Sequence, residues 1–263
     1  MSLQIRKATE ADYDVFARLQ PALGVSDPPL TAAQFAERML PNVILACDGL
    51  RPIGYAHWLT YGATFHVAHV VVDAETRRRG AGSLLMQDLR RRAVDAGCTR
   101  WYLNVKADNG VAIRLYELSG LTIEQRAWAL VSDWASLRNL TGRVGRITFD
   151  PPQEEVALFA QQHTIDPERL ALVRKRPGRV FVALRDEVGL CALAVFDPHH
   201  PAIYPIAVKR PEDAHGLFEA LSSHAQAQHV TLFVEGNASL AEALLKAGAK
   251  LEFEALRMGG SLS

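Results

Sequence analysis

The chain has 263 residues, a length that allows one large domain or two domains of ordinary size, each with a buried core. Lys plus Arg and Asp plus Glu are balanced at 29 each, which argues against a protein held to nucleic acid or a membrane surface by its overall charge. No apolar run is long enough to span a membrane, and the first residues do not have the pattern of a signal peptide. Cys47, Cys98 and Cys191 are scattered in apolar surroundings, which predicts reduced core residues and neither a disulfide framework nor a metal site. We expect a cytoplasmic protein without a metal.

Hydrophobic residues in the first half recur with strand and helix periods in turn, which predicts a mixed sheet with helices on both faces. In chain order the predicted elements are strand 3–7, helix 9–19, helix 30–40, strand 43–47, strand 53–60, strand 65–72, helix 82–96, strand 101–105, helix 109–120 and a pair of closing strands within 121–131.

The connection between strand 65–72 and the next helix contains three consecutive arginines and two glycines, in the run Arg77–Gly82. A helix that begins at glycines presents unpaired backbone N–H groups and partial positive charge, so a phosphate is a suitable ligand. The alternative is an ordinary turn with a solvated arginine face.

Two motifs in this half carry a family resemblance. The pattern R-x-x-G-x-G at Arg77–Gly82 resembles the pyrophosphate-binding signature of the GNAT superfamily of acetyl-CoA-dependent N-acyltransferases. The pattern N-x-x-A-x-x-x-Y-x-x-x-G-L at Asn109–Leu121 resembles the second signature of that superfamily. Ala74 and Leu121 depart from residues that are common in the family, Pro and Phe respectively.

The resemblance implies that acetyl-CoA, as a co-substrate, lies across the sheet edge at strand 65–72. The amides at the start of the next helix would hold the pyrophosphate, and the N–H of Val70 or Val72 would bond the thioester carbonyl. The cofactor-binding residues implied in this way are Val70, Val72, Arg77, Arg78, Arg79, Gly80, Ala81, Gly82, Ser83 and Asn109.

Direct attack by an amine requires one proton to leave the nitrogen and another to reach the leaving thiolate. Tyr116 matches the family tyrosine and is the predicted acid, with core packing as the alternative. His66 is the predicted base, with a base acting through water and a packing role as the alternatives. His69 would point to the opposite face of a regular strand unless a bulge reverses the alternation, and His57 lies on the preceding strand.

The amine acceptor, a small molecule or a peptide, is not identified by the sequence. We expect its site to be built from loop 20–30, strand 55–61 and the segment around Trp128. Four aromatic residues could form its walls or could pack in the core: Tyr55, Trp58, Tyr61 and Trp128.

The second half repeats the order of elements of the first half. Its predicted elements are strand 146–149, helix 153–163, helix 166–175, strand 179–185, strand 189–196, strand 202–208, helix 211–226, strand 229–235, helix 237–246 and a last strand from residue 250. The run Asn237–Ala249 reproduces the spacing of Asn109–Leu121 with Leu244 in the place of Tyr116. The segment with the arginines and glycines has no intact counterpart in the second half. In one alignment of the two halves Asp213 takes the position of Arg77 and would repel a pyrophosphate. In the other, Pro211 begins the helix directly and no loop remains.

The predicted fold is therefore α/β with a mixed sheet, as two tandem GNAT-like domains. Residues 1–136 form the domain with the intact acetyl-CoA motif, 137–145 a linker, and 146–263 a degenerate GNAT-like domain. The predicted function is an N-acetyltransferase with one active site in the first domain, as a monomer or homodimer that binds neither nucleic acid nor membrane. The alternative is a non-catalytic acyl-CoA-binding or scaffolding protein.

Overall fold

The structure is a computed structural model that describes residues 2–24, 30–143, 145–163 and 165–262. The chain forms two compact units that are not consecutive in sequence. The first unit comprises Met1–Val105, Asn109–Glu124 and Arg257–Ser263, and the second comprises Lys106–Asp108 and Gln125–Leu256. This division differs from the predicted boundaries, because residues 125–136 belong to the second unit and the C-terminal residues from Arg257 belong to the first.

The first unit is a mixed sheet with helices on both faces, as predicted. Its elements are β1 (Leu3–Lys7), α1 (Tyr13–Leu19), α2 (Ala32–Arg38), β2 (Val43–Asp48), β3 (Arg51–Tyr61), β4 (Thr64–Val72), α3 (Ala81–Asp95), β5 (Arg100–Lys106) and α4 (Gly110–Leu118). The strands lie in the order β1-β2-β3-β4-β5, and all neighbours are antiparallel except β4 and β5.

The helices of this unit pack on the sheet through their apolar stripes. Phe16 of α1 and Phe35 of α2 pack against Tyr55 and Val71 on one face. Side chains alternate between the two faces of a strand, so Trp58 lies on the other face, where Arg92 of α3 covers its ring. Leu85 and Leu89 of α3 are completely buried. The sheet is thus covered by α1 and α2 on one face and by α3 on the other.

The strand beside β5 comes from the end of the chain. A single strand, β6 (Thr122–Asp133), replaces the predicted pair of closing strands within 121–131. Residues 257–261 of β12 (Lys250–Ser261) belong to the first unit and extend its sheet next to β5. The N–H of Leu262 donates to the carbonyl of Thr99 at 2.9 Å. The prediction of two local strands was wrong because pairing between distant segments has no local sequence signal.

The second unit repeats this architecture. After α5 (Trp134–Leu137), its elements are β7 (Arg146–Phe149), α6 (Gln153–Gln162), α7 (Pro167–Arg174), β8 (Val180–Arg185), β9 (Leu190–Asp197), β10 (Ala202–Val208), α8 (Ala214–Ser222), β11 (His229–Glu235) and α9 (Ala238–Ala247). The strand order is β7-β8-β9-β10-β11, and β6 lies antiparallel to β11 from Ala127 to Asp133. Leu137 and Leu140, both within the predicted linker, are buried in the core of this unit.

The three cysteines are free and buried, as predicted. Within the described ranges, no helix is long and apolar enough to cross a membrane. No cluster of metal-ligating side chains occurs among those residues either.

Candidate functional site

Strands β4 and β5 separate and form a fork in the first unit. They are paired only from Thr64 to His66 on β4 and from Arg100 to Tyr102 on β5. Beyond these residues β4 continues to Val72 along β3 alone. The backbone N–H groups of β4 that face away from β3 are therefore open to a ligand over the last part of the strand.

Two amide groups of β4 point into this fork. The N–H of Asp73 donates to the carbonyl of Ile53 on β3 at 2.8 Å. Because N–H directions alternate along a strand, the N–H of Val71 also faces β3, and those of Val70 and Val72 face the open side. The geometry thus makes both amides that the sequence analysis named available to a carbonyl oxygen.

The start of α3 carries no competing side chain. Gly80 is the N-cap residue in the left-handed region with φ of 88°, no side chain caps the helix, and its first turn contains no acidic residue. The first amides of α3, from Ala81 to Ser83, therefore lack a protein acceptor of the capping type. Uncapped amides and the helix dipole together favour an anion at this position.

The arginines before α3 are exposed but differ in what they contact. Arg77 is turned back onto the strand end, where its Nε donates to the carbonyl of Val72 at 3.2 Å. Arg78 has φ of 63°, a conformation that is costly for a residue with a Cβ atom. No described residue pairs with the guanidinium of Arg78 or Arg79 within the first unit. These two side chains are available to an anionic ligand.

The two glycines of the motif serve different purposes. Gly80 is required by its positive φ, whereas Gly82 permits close packing of α3 on α4. A Cβ atom on Gly82 would lie 3.0 Å from Cδ2 of Leu115. Beside these helices lies a groove of about 480 Å³, whose lining includes Ser83, Gln87, Arg90, Trp101, Leu115 and Ser119.

Helix α4 carries the predicted acid. The side chain of Asn109 caps the helix by accepting a hydrogen bond from the N–H of Ala112 at 3.1 Å. Tyr116 is 7% exposed, and burial raises the pKa of its phenol to about 12. No described residue hydrogen-bonds its hydroxyl. Tyr116 is thus protonated at neutral pH and able to donate to a ligand, while Asn109 has a capping role in addition to its predicted contact with the cofactor.

A bulge in β4 places His66 and His69 on the same face of the sheet. His66 lies opposite Leu59 and His69 opposite His57, which leaves Ala68 as the extra residue between the two pairs. Cross-strand neighbours share a face, and Leu59 and His57 are two residues apart on β3. The regular alternation, which would put His69 on the opposite face, is therefore not followed.

The three histidines have different surroundings. The ring of His66 stacks on Tyr102, with centroids 4.5 Å apart and planes within 7° of parallel. The hydroxyl of Tyr55 lies 3.3 Å from Nδ1 of His69, and the rings of His57 and His69 are 5.3 Å apart. This Tyr55–His69–His57 contact was not predicted from the sequence. The period of two along each strand was the available signal, but it could not show which residues are opposite each other.

The predicted acceptor walls are brought together only in part. Tyr55 and Tyr61 lie on the histidine face, whereas Trp58 stacks on Phe65 on the other face, with ring centroids 5.8 Å apart. Trp128 packs against the core of the second unit. Residues 25–29 of the predicted acceptor loop lie outside the described residues.

The second unit has a similar fork, but the connection to its following helix differs. Strands β10 and β11 are paired only at Ala202 and Ile203, and Asn237 caps α9 through the N–H of Leu240 at 3.0 Å. The connection from Val208 to Ala214 is shorter than that from Val72 to Ala81, and its 3₁₀ turn, Pro211–Asp213, leads directly into α8.

A buried carboxylate lies at the start of α8. Asp213 is 1% exposed, accepts a hydrogen bond from the N–H of Arg210 at 3.1 Å and pairs with Arg143 at 3.6 Å. The corresponding position in the first unit is Gly80, which has no side chain. A phosphate at the start of α8 would meet a negative charge, so this helix start is unsuited to bind one.

Comparisons with known proteins agree with this architecture. Residues 12–121 match the family described as acetyltransferase (GNAT). A GCN5-related N-acetyltransferase from Sphaerobacter thermophilus is 17% identical, with a TM-score of 0.68 over 99% of this chain and 96% of that one. A tandem GNAT protein from the clavulanic acid biosynthesis pathway is 15% identical, with a TM-score of 0.63 over 100% of this chain and 99% of that one. A GCN5-related N-acetyltransferase from Anabaena variabilis is 13% identical, with a TM-score of 0.63 over 100% of this chain and 73% of that one. No curated protein matches the sequence significantly.

The matched segment runs from the residue before α1 to the residue before β6 and contains the fork, the start of α3 and Tyr116. The structural likeness extends over both units, although at these identities it establishes the fold alone. Residues 12–121 are therefore a domain of the acetyltransferase (GNAT) family, and the chain as a whole has the fold of a tandem GNAT protein.

Proposed function

We propose that the protein transfers an acetyl group from acetyl-CoA to an amine, at one active site in the first unit. The observation that carries this proposal is the uncapped start of α3, with exposed arginines beside it, next to the open fork of β4 and β5. A pyrophosphate at the helix start would place the rest of the cofactor within reach of the fork.

Each part of the cofactor has a suitable partner in the first unit. The amides of Ala81 to Ser83 and the side chains of Arg78 and Arg79 would hold the pyrophosphate. The N–H of Val70 or Val72 would bond the thioester oxygen and stabilise the negative charge that develops on it. The groove beside α3 and α4 offers space for the remaining part of the cofactor.

The proton movements follow from the side chains near the fork. The phenol of Tyr116 would protonate the leaving thiolate, because burial keeps it in the neutral form. A base on the histidine face would take the proton from the attacking amine. The resemblance predicts His66 as this base, and His57 and His69 lie on the same face, nearer to the open part of β4.

The second unit is proposed to have no cofactor site. Asp213 occupies the helix start that a pyrophosphate would need, and Leu244 stands where the first unit has Tyr116. Its role would then be structural, and the acetyl-CoA stoichiometry would be one per chain.

A charge change at the start of α3 tests the cofactor site. Ser83 is exposed in the first turn, so Ser83→Glu adds a carboxylate that favours the helix dipole but repels a pyrophosphate. We expect acetyl-CoA at 100 times its dissociation constant to stabilise the wild type by about 2.7 kcal/mol in thermal unfolding. Ser83→Gln should be stabilised similarly and Ser83→Glu much less. Equal stabilisation of all three proteins would rule out this helix start as the binding site.

Release of free thiol from acetyl-CoA in the presence of amines then tests catalysis. Binding of acetyl-CoA without turnover of any amine or peptide would support a non-catalytic binding protein instead.

A further inference from the structure

His57 is a buried polar side chain that the protein itself does not satisfy. It is 6% exposed, and neither of its ring nitrogens has a hydrogen-bond partner among the described residues. Buried polar groups in native proteins are almost always hydrogen-bonded, and leaving one unpaired costs on the order of 1–3 kcal/mol. The two ring nitrogens of His57 are therefore available to a bound molecule that supplies the missing hydrogen bond.

The neighbouring His69 is held in one orientation by Tyr55. Tyr55 is completely buried. Among the described residues, the hydrogen-bond partner of its hydroxyl is Nδ1 of His69. A tyrosine hydroxyl can donate to or accept from an imidazole nitrogen, so this contact serves either tautomer of His69. It holds the ring of His69 in place.

The pair lies at the open part of the fork. His69 directly precedes Val70, whose N–H points away from β3, and His57 is its cross-strand partner. His66, by contrast, lies in the section where β4 is still paired with β5, and its ring is stacked flat on Tyr102. The His57–His69 pair is therefore closer along the strand than His66 to the amides proposed for the thioester.

We propose that the His57–His69 pair accepts the proton of the acceptor amine, and that this amine binds uncharged. This inference rests on the proposed acetyl transfer and identifies its base and its class of acceptor. His57 is the proton acceptor, directly or through one water, and His69, aligned by Tyr55, is a positioning residue. The preferred acceptors are weakly basic amines, such as arylamines, and not polyamines.

The surroundings of the pair are uncharged. Val43 of β2 lies opposite His57, Phe16 of α1 packs on Tyr55, and His66 is on the same face. No described carboxylate, lysine or arginine contacts either ring. Burial lowers the pKa of His57 to about 3, with a further contribution from His69, and lowers that of His69 to about 4. An ammonium group would enter this site without a counter-charge, which is unfavourable.

The chemical step balances with the groups named. The amine nitrogen attacks the thioester carbon, and the carbonyl π electrons move onto oxygen beside the Val70 and Val72 amides. The proton on the now cationic nitrogen passes to His57, the C–S bond breaks, and Tyr116 protonates the thiolate. The products are the amide and free CoA, and the histidine returns its proton through solvent to the tyrosinate. Repulsion between the two imidazoles allows the pair to carry only one proton at a time.

The test compares His57→Asn, Tyr55→Phe and the matched variant His66→Asn, with p-anisidine and spermidine as acceptors. Acetyl-CoA binding is measured first in each variant by thermal shift, and its absence in the wild type would refute the proposed function itself. With binding intact, we expect turnover of p-anisidine to exceed that of spermidine in the wild type. His57→Asn should lower kcat for p-anisidine by about 10²-fold or more, the usual contribution of a general base.

Tyr55→Phe keeps the packing and removes only the hydroxyl. It therefore provides a measurement that does not require the His57→Asn variant to fold. It should lower kcat by about 10-fold with an unchanged KM for acetyl-CoA, because the orientation of His69 is lost but the positioned cofactor is not. The inference is overturned if His66→Asn alone abolishes turnover, if spermidine is the better acceptor, or if bound acetyl-CoA supports no turnover of p-anisidine.

Discussion

The guanidinium carbon of Arg257, on the last strand, lies 4.0 Å from the centroid of the Tyr102 ring on β5. Arg257 is 6% exposed and also pairs with Glu124 at 3.6 Å. Glu124 has a second and closer partner, Arg100, at 2.7 Å. A residue near the end of the chain therefore packs within the same compact unit as the fork.

Replacing Arg257 tests the energetic importance of this contact. We expect Arg257→Met to lower the free energy of unfolding by about 1–2 kcal/mol, because it keeps the buried stem but loses the cation–π contact. Arg257→Lys should lose less, since it keeps the charge. Urea unfolding monitored by tryptophan fluorescence measures both. Equal losses in the two variants would mean that the charge over Tyr102 contributes nothing.

Arg78 combines a strained backbone with a proposed ligand contact, so glycine should affect stability and binding in opposite directions. Arg78→Gly should raise the free energy of unfolding by up to about 1 kcal/mol, because glycine adopts φ of 63° without strain. The same change should weaken acetyl-CoA binding by removing a charge. Arg78→Ala is the control, since it loses the charge but keeps the strain. Unchanged acetyl-CoA affinity in both variants would exclude Arg78 from the site.

Tyr116→Phe should separate binding from chemistry. The ring stays buried and only the hydroxyl is lost, so acetyl-CoA affinity should remain within about twofold while kcat falls by about 10²-fold. Because burial raises the pKa of the phenol to about 12, Tyr116 remains protonated up to pH 10 and should contribute no alkaline limb below that pH. Steady-state kinetics with a good acceptor provide the measurement. A variant with wild-type kcat would assign Tyr116 to packing alone.

The second unit should bind no acetyl-CoA even when its buried carboxylate is neutralised. Asp213→Asn removes the negative charge at α8 but does not restore the longer connection or the arginines found before α3. Isothermal titration should therefore give one site per chain in both proteins. The variant should be less stable by about 1–3 kcal/mol, because the hydrogen bond from Arg210 and the pairing with Arg143 are weakened. A second site in either protein would contradict the proposed stoichiometry.

The two buried imidazoles should make the fold sensitive to acid. The pKa values of His57 and His69 are lowered on folding to about 3 and about 4, so the unfolded chain binds more protons below pH 6.5. Stability is therefore full above pH 6.5 and falls as pH decreases toward 4, by at most about 1.4 kcal/mol per pH unit for each histidine. In urea unfolding measured between pH 7 and pH 4, the free energy of unfolding should decrease less steeply with falling pH in His57→Asn than in the wild type. Identical slopes would show that His57 is not held neutral by the fold.

Local signals explain which elements the sequence predicted well. Strands β7, β10 and β11 have the predicted bounds, because alternation of apolar residues and the turn residues around them are local properties. The capping roles of Asn109 and Asn237 also depend on contacts three residues away. The spacing between these caps and the following glycine made the internal repeat visible.

Contacts between distant segments explain the differences. The composition of residues 121–133 does not show that they form the single strand β6. The composition of Arg257–Ser261 does not show that this segment lies beside β5, since any strand of suitable length could occupy that position in the sheet. The bulge at Ala68 has no glycine to signal it, yet it decides the face on which His69 lies. The motif also does not show that a Cβ atom on Gly82 would lie 3.0 Å from Cδ2 of Leu115, because α3 and α4 meet only in the folded chain.

The sequence by itself determined the family of the first half, the α/β class and the start of α3 as the phosphate-binding candidate. These depend on short motifs whose residues act through the backbone next to them. The tertiary structure alone decided which strand completes each compact unit and which histidine faces the open fork. Those outcomes depend on strand register and on packing between residues far apart in the chain, and no local pattern in the sequence specifies either.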